Sequence, residues 1–572
     1  MILGVKSLYS VTYLGNSLRV LPRSNVLKFS TSANYYNEKN VIRSKQPSIS
    51  IPEDVTVPEF LHSQVGNWGN QVAYECSATG LKFTHNEVIK YSRSFGAALI
   101  KSGIKTGDIA IILLPNCPQF PVALQGMLLT GIIASPISPS LTPAEITAMV
   151  AQTKAKAIVT IPEFLPLVKA LQGNPAGASI AQVISFGKSE GVHDFFTMIQ
   201  ADATGMEFLQ GSKIDTKTEP ATILWSSGTT GLPKGVISSH KNYIAQLLQL
   251  TQDGVSLSTR GSEIALGLIP FFHILGTVLS NASIHLGMKI VTVPKFDPKL
   301  FTKVFKENKF TITHLVPPLL KFLVANPAIT KEDFERMNTI VCGAAAVPPH
   351  VVHSVWKKAG KEIYFGEGFG LTETTGGTHK LTPSSNNTRI GSIGRLLAST
   401  EAKIVDVETG ETLGPNQNGE IFVRGPQVMQ GYLDNDEATR NTIDKDGWLR
   451  SGDIGYYAED GHFYIVDRLK ELIKVKGLQV APSELEAVLS SFAKVADVAV
   501  IGVPDERAGE LPRAYVVRKD PSVTAEEINE YVLDKLAEHK HLKGGIEFVD
   551  AIPKSPAGKI LRKDLRALYN KL

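Results

Sequence analysis

Ser226-Ser227-Gly228-Thr229-Thr230-Gly231-Leu232-Pro233-Lys234-Gly235 is the stretch whose reading decides this chain. Three glycines, four hydroxyls and one lysine lie between the apolar run Ala221-Thr222-Ile223-Leu224-Trp225 and a segment with helical spacing. Glycine allows close backbone approach and positive φ, the hydroxyls are adaptable donors, and Lys234 is a point charge. That combination suits a polyphosphate. A Walker loop, G-x-x-x-x-G-K-[ST], fails at two places: Pro233 holds the position of the second required glycine, and Gly235 follows Lys234 where a hydroxyl should stand. The alternative is a Gly/Ser-rich surface turn.

Further segments point away from a simple turn. In order they are Gly366-Glu367-Gly368-Phe369-Gly370-Leu371-Thr372-Glu373-Thr374, Gly447-Trp448-Leu449-Arg450-Ser451-Gly452-Asp453, Asp467-Arg468-Leu469-Lys470 and Ser555-Pro556-Ala557-Gly558-Lys559. Together with the first loop they resemble, in sequence and in order, the ATP-dependent adenylate-forming family of acyl-CoA synthetases, 4-coumarate-CoA ligases, firefly luciferases and peptide synthetase adenylation domains. The resemblance covers roughly residues 50 to 572.

The resemblance implies an α/β fold. A large, multi-lobed N-terminal domain with mixed and parallel sheets (38–467) is joined by a hinge to a small α+β C-terminal domain (468–572). The residues are independently compatible with this. Strand-like runs at Ile109 to Leu114, Ala157 to Thr160 and Gln182 to Ser185 alternate with helix-like segments such as Glu87 to Ser102. Ile244, Leu247 and Leu248 fall at helical spacing behind Ser239, a suitable N-cap, so the phosphate loop is expected to run from strand to helix.

Size and composition narrow the classes. A chain of 572 residues exceeds one ordinary core. With 43% apolar and 20% charged residues it is globular, and a net charge of +4 gives no case for nucleic acid. Cys76, Cys117 and Cys342 are far apart, so neither a disulfide framework nor a zinc site is indicated. The most apolar region, Ile109 to Pro136, is broken by Pro115, Asn116, Pro118 and Pro121, so no run of about eighteen apolar residues spans a bilayer there. Met1 to Asn37 carries no acid but has Lys6, Arg19, Arg23 and Lys28 among Leu, Val and Ser. That composition reads as a mitochondrial transit peptide (1–37), processed near Lys28 to Ser32. The final Asn-Lys-Leu differs from the peroxisomal Ser-Lys-Leu by one residue, making the peroxisome the second choice.

Site residues follow from the resemblance, position by position. It implies that Ser226, Ser227, Gly228, Thr229, Thr230, Gly231 and Lys234 cradle phosphates. Ala345, in the small-residue turn Cys342 to Pro348, borders adenine, and Glu367 and Gly368 belong to the same nucleotide wall. Thr372 holds the α-phosphate and Glu373 holds Mg²⁺, a hard cation suited to oxygen ligands shared with phosphates. Asp453 accepts the ribose hydroxyls, Arg468 reaches ribose or phosphate, and Lys470 lies at the hinge. Lys474 and Gln479 present polar groups to AMP, and Lys476 and Gly477 line the path of coenzyme A, which Lys295 also touches. His273, in Pro270-Phe271-Phe272-His273-Ile274-Leu275-Gly276, lines the acid pocket, and Lys559 is the adenylation lysine.

The implied reaction joins a carboxylic acid to ATP, giving an acyl-adenylate and pyrophosphate, then passes the acyl group to coenzyme A. Lys474, Lys476, Gly477 and Gln479 match the coumarate-ligase pattern, whereas Leu275 stands where those ligases place a tyrosine. Gly376 and Gly377 leave a small pocket wall, so the expected acid is medium-chain fatty or aryl. A luciferase-like monooxygenase, carrier-protein loading and a catalytically silent scaffold are the alternatives. The expected partners are small molecules, in a monomer or homodimer.

Overall fold

The computed structural model describes residues 40–570 except 227–232, 253–259, 344–346, 348, 383–388, 477 and 556–557. Before residue 40 it describes only the backbone of two antiparallel strands, Tyr9–Thr12 and Arg19–Pro22.

Two large sheets carry the N-terminal part. The first orders its strands His193–Asp194, Gln182–Ser185, Ala157–Val159, Ile109–Ile112, Ile133–Pro136, Pro220–Ser226, Lys234–Ser239 and Gly431–Tyr432. Pairing is parallel as far as Pro220–Ser226 and antiparallel beyond. The second runs Arg395–Leu396, Gly376–Lys380, Tyr364–Leu371, Thr339–Cys342, Ile312–Leu315, Ile264–Gly267, Lys289–Thr292, Val72–Cys76 and Lys82–Thr84. It is parallel in its centre and antiparallel at both edges. Parallel strands buried on both faces read as short apolar runs, which is why Gln182–Ser185 was legible to the residue.

One apolar cluster joins both sheets through the helices between them. Gln119–Leu129 is buried along its whole length, and Ile274–Leu286 nearly so. Helix His85–Lys101 packs on the first of these, where a Cβ on Gly96 would lie 2.6 Å from the Gly126 carbonyl oxygen. Only glycine permits that approach. This helix begins two residues earlier than its apolar pattern suggests, because Thr84 and Glu87 form a capping box.

The phosphate loop differs from its expected context. It joins two antiparallel strands, with Ser226 paired to Lys234, and the helix begins only at His240. Val236 and Ile237 favour the pleated surface of a sheet and delay the helix by one strand. Ser239 does cap it, and Asn242 closes the capping box.

A third, antiparallel sheet contains Glu401–Val405, Gly419–Arg424, Leu449–Tyr457 and Phe463–Arg468. Past Arg468 one turn, Leu469–Glu471, leads into a five-stranded sheet with its own apolar clusters, packed with Pro482–Ser490, Ala525–Leu533 and Arg562–Tyr569. The two parts touch where the Ser483 N–H donates to Asp467 Oδ2 at 2.8 Å, and Arg566 pairs with Glu471 of the connecting turn. The three cysteines are free and buried. Among the described residues no helix is long and apolar enough to cross a membrane.

Candidate active site

A cavity of about 700 Å³ opens beside the carboxyl ends of the second sheet's parallel strands. Its walls come from those strands, from the start of helix Ile274–Leu286 and from the C-terminal loop Ser555 to Lys559. Most of its surface is apolar.

His273 enters through a braced turn. Asn116 Nδ2 donates to the carbonyls of Gly267 and Ile269, both at 2.9 Å, and its Oδ1 accepts the Phe271 N–H at 2.8 Å. The Asn116 amide thus pins the Pro270–His273 corner. Gly276 allows the helix to start against it, since a Cβ there would stand 2.0 Å from the Pro270 carbonyl oxygen. His273 caps the helix, its Nδ1 accepting the Leu275 N–H at 3.4 Å. Burial, with a smaller push from the Lys559 ammonium, lowers the imidazole to about 4. The ring is neutral at physiological pH.

Charged groups gather at the seam between the third sheet and the C-terminal loop. Asp453 and Arg468 are register partners on neighbouring strands, with Oδ1 3.0 Å from Nε. Asp453 Oδ2 is buried without a partner among the described residues, an acceptor able to take a hydroxyl. Burial raises the Asp453 carboxyl, and Arg468, Lys559 and Lys470 oppose that rise. Burial also lowers Lys470, helped by repulsion from Arg468 and Lys234. Lys559 is lowered by burial first and by Arg468 second, while Asp453 and Glu373 pull it back. Arg468, Lys470 and Lys559 thus stand together beside Asp453, where an anionic ligand would ease their mutual repulsion.

Glu373 sits in the turn Thr372–Thr374, with Thr372 buried. Its Oε1 accepts the Tyr432 hydroxyl at 2.8 Å, and Lys234 Nζ stands 4.0 Å over the Tyr432 ring. Tyr432 therefore links the phosphate-loop lysine to the carboxylate. At the start of that loop, Ser226 Oγ is buried without a partner among the described residues.

Lys559 joins the two regions, lining the cavity with His273 while standing in the fields of Asp453 and Glu373. Its loop lies against the large domain. Gly558, at φ +79°, is so close that a Cβ would meet Val316 Cβ at 3.3 Å.

Gly368 also lines the cavity, and Lys295 stands exposed at its rim. Glu367 does not line it. Its carboxyl is buried and takes backbone N–H groups of Val347 and Gly391, and burial pushes it up to about 8. Lys474 and Gln479 face each other across a strand pair, and with Lys476 they are exposed to solvent away from the cavity. Ser227, Gly228, Thr229, Thr230, Gly231, Ala345 and Gly477 lie outside the described residues. Sequence reasoning missed Asn116, Tyr432 and the inward-facing His314 and Lys380. For Lys380 a signal existed, a charge ending a strand-like run of small residues; for Tyr432 there was none.

The family model described as AMP-binding enzyme matches residues 61–433, and that for the AMP-binding enzyme C-terminal domain matches 484–559. The chain is 36% identical over 537 residues to 4-coumarate–CoA ligase 5 of Oryza sativa subsp. japonica, covering 93% of this chain and 97% of the relative. It is equally similar, over 538 residues and with the same coverage, to 4-coumarate–CoA ligase 1 of Petroselinum crispum. Among solved structures, the anthranilate CoA ligase AuaEII in complex with anthranoyl-AMP superposes with a TM-score of 0.81 at 26% identity, over 91% of this chain and 99% of that one. ATP-bound MatB from Rhodopseudomonas palustris gives a TM-score of 0.81 at 25% identity, with the same coverage.

Proposed function

This chain belongs to the AMP-binding enzymes and is an adenylate-forming acid–CoA ligase, and from that premise we propose that it activates a medium-chain fatty or aryl acid. The observation that carries the reading is Lys559, which reaches the apolar cavity and the polar seam at once. A carboxylate is a poor electrophile because its charge is delocalised and its leaving group would be oxide. Attack of a carboxylate oxygen on the α-phosphorus of ATP forms the mixed anhydride and expels pyrophosphate. Lys559 stands where it can bridge the two anions as they approach, Asp453 and Arg468 hold the ribose, and neutral His273 walls the acid pocket. Positioning and electrostatics supply most of what such a step needs.

Mg²⁺ is part of the proposal. Glu373 offers a hard oxygen donor, oriented through Tyr432, and a single carboxylate suits an ion shared with substrate phosphates. When bound, the ion would neutralise charge building up on those phosphates.

The second half-reaction needs the thiol of coenzyme A at the anhydride carbon, with AMP leaving. We place the domain division at residues 467 and 468, with Lys470 as the hinge. Lys559 is over the cavity while Lys476 faces solvent, and rotation about the hinge would exchange them. Purified protein assayed for ATP–pyrophosphate exchange and CoA-thioester formation against fatty and aryl acids tests the reading. Exchange with no acid on the panel sinks it, and light emission without thioester would favour an oxygenase. We also propose a mitochondrial address, from the acid-free, basic first thirty-seven residues. A fusion of that segment to a fluorescent protein that stays outside mitochondria would refute it.

A further inference from the structure

Besides Lys559, Lys554 and Lys295, the cavity is lined by Lys380. Lys380 ends the strand Gly376–Lys380, and its register partner is Gly368 on Tyr364–Leu371. Two strands further on, His314 pairs with Val341, which pairs with Gly366. These registers set His314, Val341, Gly366, Gly368 and Lys380 on one face of the sheet, because residues opposite one another share a face. His314, Val341, Gly368 and Lys380 all line the cavity. The two glycines leave the floor between lysine and histidine low, and Tyr364, its hydroxyl donated to the Leu381 carbonyl, covers part of it.

Among the described residues, neither group has the partner it needs. Among the described residues, no carboxylate or carbonyl pairs with the Lys380 ammonium, whereas Lys554, another cavity lysine, is held by Asp497 at 2.5 Å. His314 Nδ1 is likewise buried without a partner. Lys380 keeps some surface toward the cavity space but is enclosed by protein, and burial alone lowers it to about 8. It remains mostly charged at neutral pH. Burial, with a smaller push from the Lys380 ammonium, holds His314 down at about 4. An unpaired ammonium in an apolar chamber is costly unless a bound anion compensates it. A neutral hydroxyl would accept a hydrogen bond but leave the charge. A carboxylate would neutralise it and offer a second oxygen to a His314 Nδ1–H.

We infer that the acid activated here carries a second carboxylate, remote from the reacting one, and that Lys380 and His314 bind it. The inference rests on the ligase reading above. The two groups come from different walls: Lys380 and His314 from one face of the sheet, Lys559 from the C-terminal loop.

The test compares matched acids in ATP–pyrophosphate exchange with the full chain: octanedioate against octanoate, and terephthalate against 4-methylbenzoate. Wild type should favour the diacid of at least one pair by about tenfold to a hundredfold in kcat/KM, the range of a charge-assisted hydrogen bond. Lys380→Met should invert that preference, lowering the diacid and raising the monoacid, and should melt no lower than wild type. The gain on the monoacid shows that the variant is folded. A wild type that prefers both monoacids, or a variant that loses both acids of a pair equally, overturns the inference and leaves the ligase reading intact. Exchange with none of the four and with no other acid overturns both.

Discussion

Asp453 and Arg468 face each other across neighbouring antiparallel strands, Oδ1 3.0 Å from Nε, and the second carboxylate oxygen of Asp453 is buried with no partner among the described residues. One oxygen is held by Arg468, and in the function proposed above the other takes a ribose hydroxyl. Asp453→Asn should therefore weaken ATP by about tenfold to a hundredfold, the worth of hydrogen bonds to a charged group. The checks are the KM for ATP and the rise in melting temperature on adding ATP. An unchanged ATP-induced rise would remove Asp453 from the nucleotide site.

Lys559→Ala should separate the half-reactions. Adenylation should fall by at least about a hundredfold, as for loss of one donor aimed at transition-state charge. Thioester formation from supplied acyl-AMP and coenzyme A should stay within a fewfold of wild type. Equal loss of both steps would end the assignment of Lys559 to one of them.

Gly558→Ala tests the placement of that lysine without touching its charge. The residue has φ +79°, where a side chain is strained, and a Cβ would press on Val316 at 3.3 Å, so a methyl group should shift the loop. Adenylation should drop while the thioester step is spared, in parallel with Lys559→Ala but less severely. An alanine variant with wild-type exchange would show that the close approach is dispensable.

Tyr432→Phe removes the hydroxyl that meets Glu373 and keeps the ring beneath Lys234. The Mg²⁺ concentration for half-maximal exchange should rise severalfold, with the KM for the acid unaltered. A change in the acid KM alone would place Tyr432 in the wrong part of the site.

Glu367 gives a prediction in pH. Burial raises its carboxyl from 4.5 to about 8, so the stability it contributes is fully present below about pH 4.5 and lost as pH rises through 8. That loss is on the order of a few kcal/mol. Glu367→Gln should flatten the melting-temperature profile between pH 5 and 8 and melt higher than wild type at pH 8. Parallel profiles would mean that Glu367 ionises freely in the fold.

The family was legible along the chain. The order of the glycine-rich, Thr-Glu, Gly-Asp and lysine segments led to the family, and Ser239 was readable as a cap because capping depends on neighbours three residues away. Apolar runs located strands such as Gln182–Ser185 because both faces of a parallel strand are buried. Other features depended on which strands become neighbours. Only the order of the first sheet brings Tyr432 beside Lys234, almost two hundred positions earlier, and so to Glu373. Asn116 looked like a break in an apolar run, and the corner it pins lies on a distant loop. Lys380 and His314 are ordinary residues in sequence, and become a pair because register turns both to one face of one sheet. Residue types and short spacings are properties of a segment, whereas convergence on a cavity is a property of strand order and register, which no single segment contains.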